Sequence, residues 1–502
     1  MSRTRSFGWI FGGGGLLLLS GCTIGPRFQR PAPPPVNRYT ASSAISGSHR
    51  YPGIARQTFI HGKAVGSRWW HQFRNNDLNA WVREALANNP GLHSATAILL
   101  EAHYALRADQ GIFFPQISLG LSGERNRSSG ATSGGVFSPP LFNLYNGGVS
   151  VSYYPDIFGL NRLLTNQARA QEAVARDELD AARLTLEGDV LDTVFNWVAL
   201  NREIQAQERS ISDQHELLTL VEKSYRLGAD SLLDVENQKS TLASAEAVLP
   251  PLEIDRADES HLLAIYLGRF PAQLAHLPNT GFRGIRLPRH LPLVLPSRLI
   301  LTRPDIRAAE AQLVAANAQV GQAVARMYPL IELTGSAGVE SNHWSELFLS
   351  ASRIWNIAAA LTLPIFEGGT LVAEKDEAEA SYRSLFANYE STVLDAFGQV
   401  ANVLRAIEHD STTYGADRRA LQAARRAFAL VHVEYVEGAV DYLSVLTTET
   451  QLEQARIAEI RAHLQRYTDT VALYVALGGG RLPGSSSPAS SLNHQPVPRD
   501  TP

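Results

Sequence analysis

Four segments of the chain alternate apolar and polar residues with a period of two. Ile117, Leu119 and Leu121 alternate with Gln116, Ser118, Gly120 and Ser122, and Val149, Val151 and Tyr153 with Gly148, Ser150 and Ser152. Further on, Ile331, Leu333, Gly335, Ala337 and Val339 alternate with Glu332, Thr334, Ser336, Gly338 and Glu340. Trp355, Ile357, Ala359, Leu361 and Leu363 alternate with Asn356, Ala358, Ala360 and Thr362. A period of two predicts strands with one apolar face and one small or polar face. Each runs about ten residues, the length of a tilted strand crossing a bilayer. Gly- and Ser-rich loops, 123–147 and 341–352, join the pairs.

Elsewhere the period is helical. Medium helices are predicted from Pro90 to about Ile112 and from Pro304 to about Met327, each opening on a proline that suits a first helical position. From Leu160 to Leu227 and from Thr370 to Glu437 there is no proline and little glycine. Each stretch, if helical throughout, is about 100 Å long. Leu385, Tyr389, Val393, Phe397, Val400, Leu404 and Ile407 recur at helical spacing, and alanine is abundant. Return helices follow, from Leu232 and from Tyr442 to Leu477. Helices this long cannot bury themselves in one globule and imply a coiled-coil-like barrel or stalk. Pro250-Pro251 predicts a bend or break in the first return helix.

The halves echo each other. Asn89-Pro90-Gly91-Leu92 matches Arg303-Pro304-Asp305-Ile306, and Phe114-Pro115-Gln116-Ile117 matches Tyr328-Pro329-Leu330-Ile331, both offset by 304 − 90 = 214. Pro155-Asp156-Ile157-Phe158-Gly159 echoes Pro364-Ile365-Phe366-Glu367-Gly368. Tyr225 to Val235 echoes Tyr435 to Val445, offset by 435 − 225 = 210. The half-chain reads as an internal duplication, with a period too long for a solenoid.

The termini add a location. Arg3 and Arg5 precede an apolar run from Phe7 to Leu19, as in a secretory signal. The uncharged run approaches the length of a membrane anchor, but Gly12 to Gly15 weaken a helix there. It ends in Leu19-Ser20-Gly21-Cys22, which resembles a bacterial lipobox, and Cys22 is the single cysteine of the chain. The resemblance implies cleavage before Cys22 and a covalent lipid on it. Thr23, in place of an aspartate, implies sorting to the outer membrane. A Pro-rich tether, Pro26 to Pro35, and a polar stretch to about Arg68 read as an extended arm. The prolines from 271 to 304 read as a linker, and the Gly-, Ser- and Pro-rich end from Gly479 as a disordered tail. The expected organisation is a signal (1–21), a lipidated arm (22–68), a first repeat (69–270), a linker (271–303), a second repeat (304–478) and a tail (479–502).

Charge and chemistry narrow the function. The 502 residues carry 45 basic and 49 acidic side chains, a balance of 45 − 49 = −4, which argues against nucleic acid as a partner. One cysteine permits no intrachain disulfide and no Cys-based zinc site. There is no phosphate-cradling G-x-x-x-x-G-K-[ST] loop and no G-x-S-x-G elbow, and His215-Glu216 lacks a second histidine four residues after the first. His103 and His432 read as surface or packing residues. No enzyme, cofactor or metal site is expected.

A strand in lipid must have every backbone group paired, so only a closed barrel spans. Four strands do not close one, since the smallest transmembrane barrels have about eight. The chain must pool strands with copies of itself. A dimer of eight and a trimer of twelve both satisfy this, and strand arithmetic alone does not choose between them: eight strands leave little lumen, whereas twelve leave room for a channel. A soluble sheet carried on a helical stalk is the competing reading of the same pattern.

The motifs are more specific. Leu295-Pro296-Ser297-Arg298-Leu299, Arg303-Pro304-Asp305-Ile306-Arg307-Ala308-Ala309-Glu310 and Ala315-Ala316-Asn317-Ala318-Gln319-Val320-Gly321, with Tyr328-Pro329, closely resemble the outer-membrane efflux lipoproteins of the NodT/OprM group, relatives of TolC. Cys22-Thr23-Ile24-Gly25-Pro26, Asp156-Ile157-Phe158-Gly159, Leu249-Pro250-Pro251-Leu252-Glu253 and Tyr442-Leu443-Ser444-Val445-Leu446 match as well, so the resemblance covers about residues 16 to 478. It implies an α+β membrane protein: a homotrimer whose four strands per chain make a twelve-stranded outer-membrane barrel, continuous with a long periplasmic α-helical barrel. It implies docking to a periplasmic adaptor and an inner-membrane pump, with solutes leaving passively. A duct for protein secretion and a non-transport envelope lipoprotein with a helical stalk are the alternatives.

In that family the tunnel is gated where the long helices turn. Here the turns are Tyr225 to Val235 and Tyr435 to Val445, with Gly228 and Gly438 permitting the reversal and Ala229 and Ala439 beside them as candidate adaptor contacts. The resemblance puts Asp234, Tyr435 and Leu443 on gate-related positions. Where several relatives carry aspartates this chain has Ser444 and Thr447, with Asp441 displaced nearby. For Asp234 and Asp441, helix capping competes with gating, and one residue can do both.

Overall fold

The computed structural model describes residues 24–41, 47–127, 141–274 and 281–480. The signal segment, Cys22 and Thr23 lie outside the described residues, as does the tail from 481 onward. In chain order the elements are β1 (Thr58–His61), α1 (Asn76–Asn88), α2 (Pro90–Gln110), β2 (Gln116–Asn126), β3 (Phe142–Tyr153), α3 (Leu160–Arg226) and α4 (Leu232–Tyr266). They continue with β4 (His290–Leu293), α5 (Pro296–Thr302), α6 (Pro304–Ala325), β5 (Leu330–Ser341), β6 (Arg353–Thr362), α7 (Thr370–Val436) and α8 (Tyr442–Ala476). The two long helices have 67 residues each and the two return helices 35 each.

Two compact units emerge, neither continuous in sequence. The first gathers residues 24–28, 105–169 and 314–383. Its centre is a four-stranded antiparallel sheet in the order β2-β3-β5-β6. The register sets Leu119 opposite Val149, Val149 opposite Ala337, and Ala337 opposite Trp355. Because partners across a ladder share a face, the apolar positions of all four strands fall on one side. Ser118, Ser150, Ser336 and Asn356 line up on the other, where the Ser118 and Ser150 hydroxyls lie 2.7 Å apart. The apolar face is bare: Ile357 is 80% exposed and Trp355 76%. The outer edges of β2 and β6 have no strand partner among the described residues.

The first hairpin is longer than the alternation alone indicated. Strand structure continues to Asn126 and resumes at Phe142, so the loop expected at 123–147 shrinks. Polar Glu124, Arg125, Asn143 and Asn146 interrupt the pattern without interrupting the ladder. At the exit from β3, the Asp156 carboxylate accepts from the backbone N–H of Asn161 (2.9 Å) and of Arg162 (3.1 Å) and from Arg162 Nε (2.8 Å). An anionic acceptor at the first turn of α3 satisfies donors that the helix leaves open.

The second unit, residues 29–104, 170–313 and 384–480, holds the main apolar core. Trp69 stacks on Tyr474 at 5.0 Å and donates its indole N–H to Glu187 Oε2 at 2.9 Å. Phe73, Phe195 and Tyr467 pack on one another in the same core. Arg303, buried, ties three elements together: it donates to both Asp305 oxygens (3.0 and 2.6 Å), to Gln399 Oε1 of α7 (3.0 Å) and to the Ala476 carbonyl of α8 (3.1 Å). A guanidinium suits this position because it offers five donors in a fixed fork.

Three expectations are corrected here. The arm is not wholly extended and the linker is not bare: β1 and β4 form a parallel pair, Phe59 opposite Leu291, and α5 follows. Buried Gln57 anchors the pair, donating to the Pro288 carbonyl (3.1 Å) and Thr470 Oγ1 (2.9 Å). Second, of the bend or break expected at Pro250-Pro251, the break does not occur: α4 runs on through both prolines. The carbonyls those prolines leave without a donor belong to Glu246 and Ala247, which are exposed, so water can serve them. Third, Gly479 and Gly480 are not tail but belong to the turn ending α8, where Gly479 donates to the Tyr474 carbonyl (3.1 Å).

Candidate functional site at the two helical turns

The long helices α3 and α7 end alike. Gly228 takes φ +80° and Gly438 φ +77°, a conformation that glycine reaches without penalty. Gly228 donates to the Tyr225 carbonyl (2.9 Å) and Ala229 to that of Ser224 (3.0 Å). Gly438 donates to Tyr435 (3.0 Å) and Ala439 to Glu434 (2.7 Å) in the same pattern. These paired bonds close the last helical turn and point the chain back on itself.

The return helices are capped differently. Ser231 caps α4: its Oγ accepts from Asp234 N (3.2 Å), while Asp234 Oδ2 accepts from Ser231 N (2.9 Å) and Oγ (2.6 Å). This is the reciprocal box in which two orphan donors are satisfied together. In α8 the cap is Asp441, whose Oδ1 accepts from Ser444 N (3.0 Å) and Oγ (2.7 Å). Those two bonds hold the Asp441 carboxyl below the usual carboxylate range. Both aspartates therefore act as capping groups, and Ser444 is engaged by Asp441. Thr447 donates back to the Leu443 carbonyl (2.8 Å). Leu443 is 64% exposed, and Leu227, Leu232, Leu233 and Val436 are exposed around it.

Beneath the turns lies a small separate core of Leu217, Val221, Val235, Tyr435, Tyr442 and Val445. Two hydrogen bonds stitch the repeats together through it. The Tyr435 hydroxyl donates to Asp230 Oδ2 in the first turn. Burial, then the bond to Asp230, push that phenol above its ordinary value. The Tyr442 hydroxyl donates to Gln238 Oε1 (2.7 Å), and Gln238, fully buried, donates to the Gln214 carbonyl (3.0 Å) and Oε1 (2.6 Å). Farther along α8, Glu449 is buried, and desolvation with Glu453 and Asp213 nearby pushes its carboxyl up to about 8.

Of the residues singled out in the sequence, the structure brings Gly228, Ala229, Asp234, Tyr435, Gly438, Ala439, Asp441, Leu443 and Ser444 to the two turns, with Thr447 one turn into α8. Asp230, Gln238, Gln214 and Tyr442 escaped sequence reasoning. Tyr442 stood beside a capping aspartate and could have been flagged; glutamines inside helices carry no signal. Among the described residues no group of three or more His, Cys, Asp or Glu side chains is placed to hold a metal ion. His103 Nδ1 lies 3.4 Å from Glu172.

Comparison with known proteins completes the picture. A family model described as outer membrane efflux protein matches residues 81–269 and again 295–479. The solvent efflux pump outer membrane protein SrpC of Pseudomonas putida is 31% identical over 467 residues, covering 93% of this chain and 97% of its own. The cation efflux system protein CusC of Escherichia coli K12 is 28% identical over 469 residues, covering 92% and 97%. Among solved structures, the outer-membrane channel OprN superimposes with a TM-score of 0.83 at 26% identity, covering 91% of this chain and 99% of its own. The open state of the Neisseria gonorrhoeae MtrE outer membrane channel gives 0.77 at 28% identity, covering 91% and 98%. With two matched stretches spanning most of its length, the chain belongs to the outer membrane efflux protein family and is an outer-membrane component of an efflux system.

Proposed function

We propose that three copies of this chain form a passive exit duct for small molecules, fed by an inner-membrane pump through a periplasmic adaptor. The observation that carries the reading is the sheet of β2, β3, β5 and β6, apolar on one face, polar on the other and, among the described residues, unpaired at both outer edges. Lipid would take the apolar face, and neighbouring copies would take the edges. Three chains of four strands give twelve, enough to enclose a wet lumen lined by the Ser118–Ser336 face. The repeated element order, with helices of matched length in each half, fits an internal duplication that lets each chain supply two equivalent helix pairs to a periplasmic barrel.

The two turns form the resting gate in this reading, with the Tyr435–Asp230 and Tyr442–Gln238 bonds holding one repeat against the other. Exposed Leu227, Leu233 and Leu443 suit contact with a neighbouring copy or the adaptor. A lipid on Cys22 would anchor the N-terminus; Ile24 N bonds the Phe158 carbonyl (3.3 Å), beside the root of the strands. No cofactor is required, and the duct performs no chemistry. The only methionines are Met1 and Met327, which gives no support to soft-metal handling by this chain itself. Selectivity belongs to the pump.

Single-channel recording in a planar bilayer tests the duct. Purified protein should give discrete, ohmic conductance steps; a protein that inserts without conducting would instead be a stalk for partners.

A further inference from the structure

Within the second unit, α3, α7 and α8 enclose a pocket of about 800 Å³. Its floor is aromatic. The His463 ring stacks on Tyr414 with centroids 4.7 Å apart and 16° between planes, and Phe282 lies 4.7 Å away on another side. Five guanidinium groups line the walls, from Arg202, Arg209, Arg418, Arg425 and Arg456.

Some of that charge is matched. Arg202 donates to Glu459 Oε2 (3.1 Å) and to His463 Nδ1 (3.1 Å). Arg456 donates to Glu453 Oε1 (2.7 Å), and Arg209 stands within electrostatic reach of Asp213. The rest is not. Arg418 and Arg425, exposed at the mouth, make no hydrogen bond or salt bridge among the described residues. His463 adds no charge: burial, then Arg202, Arg466 and Arg418, push the ring down to about 3. The neutral ring thus serves as an acceptor for Arg202 and as a platform.

Glu459 is the one carboxylate among the lining residues, so five arginines leave an excess of positive charge that an entering anion would balance. Carboxylates match their fork geometry with two bonds each. The volume falls within the range of about 300–1,000 Å³ typical of small-ligand sites. We propose that this pocket binds a small aromatic polycarboxylate, its carboxylates held by Arg418 and Arg425 and its ring packed beside the Tyr414–His463 stack. Such a site is distinct from the turns and does not depend on whether the protein conducts.

Isothermal titration of the full-length protein in mild detergent with benzene-1,3,5-tricarboxylate tests it. Saturable binding is expected with Kd below about 1 mM, weakening as salt rises, while uncharged benzene-1,3,5-trimethanol does not bind. The double substitution Arg418→Gln/Arg425→Gln should weaken binding about tenfold or more, and Arg418→Lys by less. Arg426→Gln, whose side chain does not line the pocket, should leave it unchanged. An unchanged thermal melt establishes that the variants remain folded. No saturable binding by the wild-type protein, or full binding by the double variant, would overturn the assignment; should the double variant misfold, the wild-type titration and the Arg418→Lys ratio decide.

Discussion

The hydroxyl of Tyr435, at the end of α7, donates to the carboxylate of Asp230, which lies in the other turn, 205 positions earlier in the chain. Two equivalent turns are thereby joined by an inequivalent contact, since the tyrosine matching Tyr435 in the first repeat, Tyr225, is 43% exposed. Breaking this bond should favour opening. Tyr435→Phe keeps the ring in its apolar core and removes one hydrogen bond to a charged group, a loss of about 1.5–3 kcal/mol. Bilayer recordings should show longer open times and little change in single-channel amplitude. Because burial and Asp230 raise the phenol above its ordinary value, the neutral donor, and the stability it contributes, should persist through pH 10 and fail only above that.

Asp234 separates capping from gating. Asp234→Ala removes the acceptor for Ser231 and should cost about 1 kcal/mol at the start of α4, with a measurable leak. Asp234→Asn keeps an acceptor and should behave nearly as wild type. Equal leaks in both would point to the carboxylate charge, and unchanged conductance in the alanine variant would remove Asp234 from the gate.

Glu449 gives the helical region a pH dependence with a definite sign. Its carboxyl is raised from the usual carboxylate range to about 8, chiefly by burial. The folded state thus holds a proton that the unfolded chain has already released. The stability this contributes is complete below the ordinary carboxylate pKa and is lost progressively as pH rises toward 8. Glu449→Gln stays neutral. The melting temperature of the variant should gain on wild type between about pH 5 and pH 8, then hold a constant lead. Parallel curves would show that Glu449 does not titrate in that window.

The two faces of β6 differ by one register position. Ile357→Lys puts a cation on the apolar face, at a cost of about 2–4 kcal/mol if the site faces mid-bilayer. Outer-membrane assembly, read from the fractionated envelope, should drop sharply. Asn356→Lys, one residue away on the other face, should assemble normally and shift ion selectivity toward anions. Similar assembly of both variants would contradict the assigned faces.

What the sequence made legible was whatever repeats locally. Sixty-odd residues without proline mark α3 and α7 to within a residue, and alternation finds all four strands of the sheet. The strand pair β1 and β4 escaped because each has four residues and they meet across 290 − 58 = 232 positions, which leaves no periodic trace. The prolines of α4 misled because the break rule assumes that freed carbonyls have no water to meet. At the turns the glycines and caps announced themselves, whereas the Tyr435–Asp230 and Tyr442–Gln238 bonds exist only once two helix pairs have met. The arginine pocket is equally a product of packing, drawn from three helices.

Sharing of the sheet edges between copies fixes the number of chains in each particle. Native mass spectrometry of protein extracted from the outer membrane in mild detergent counts them. Three chains per particle, persisting on dilution, are what the account predicts. A monomer, or a closed assembly of two, would contradict it.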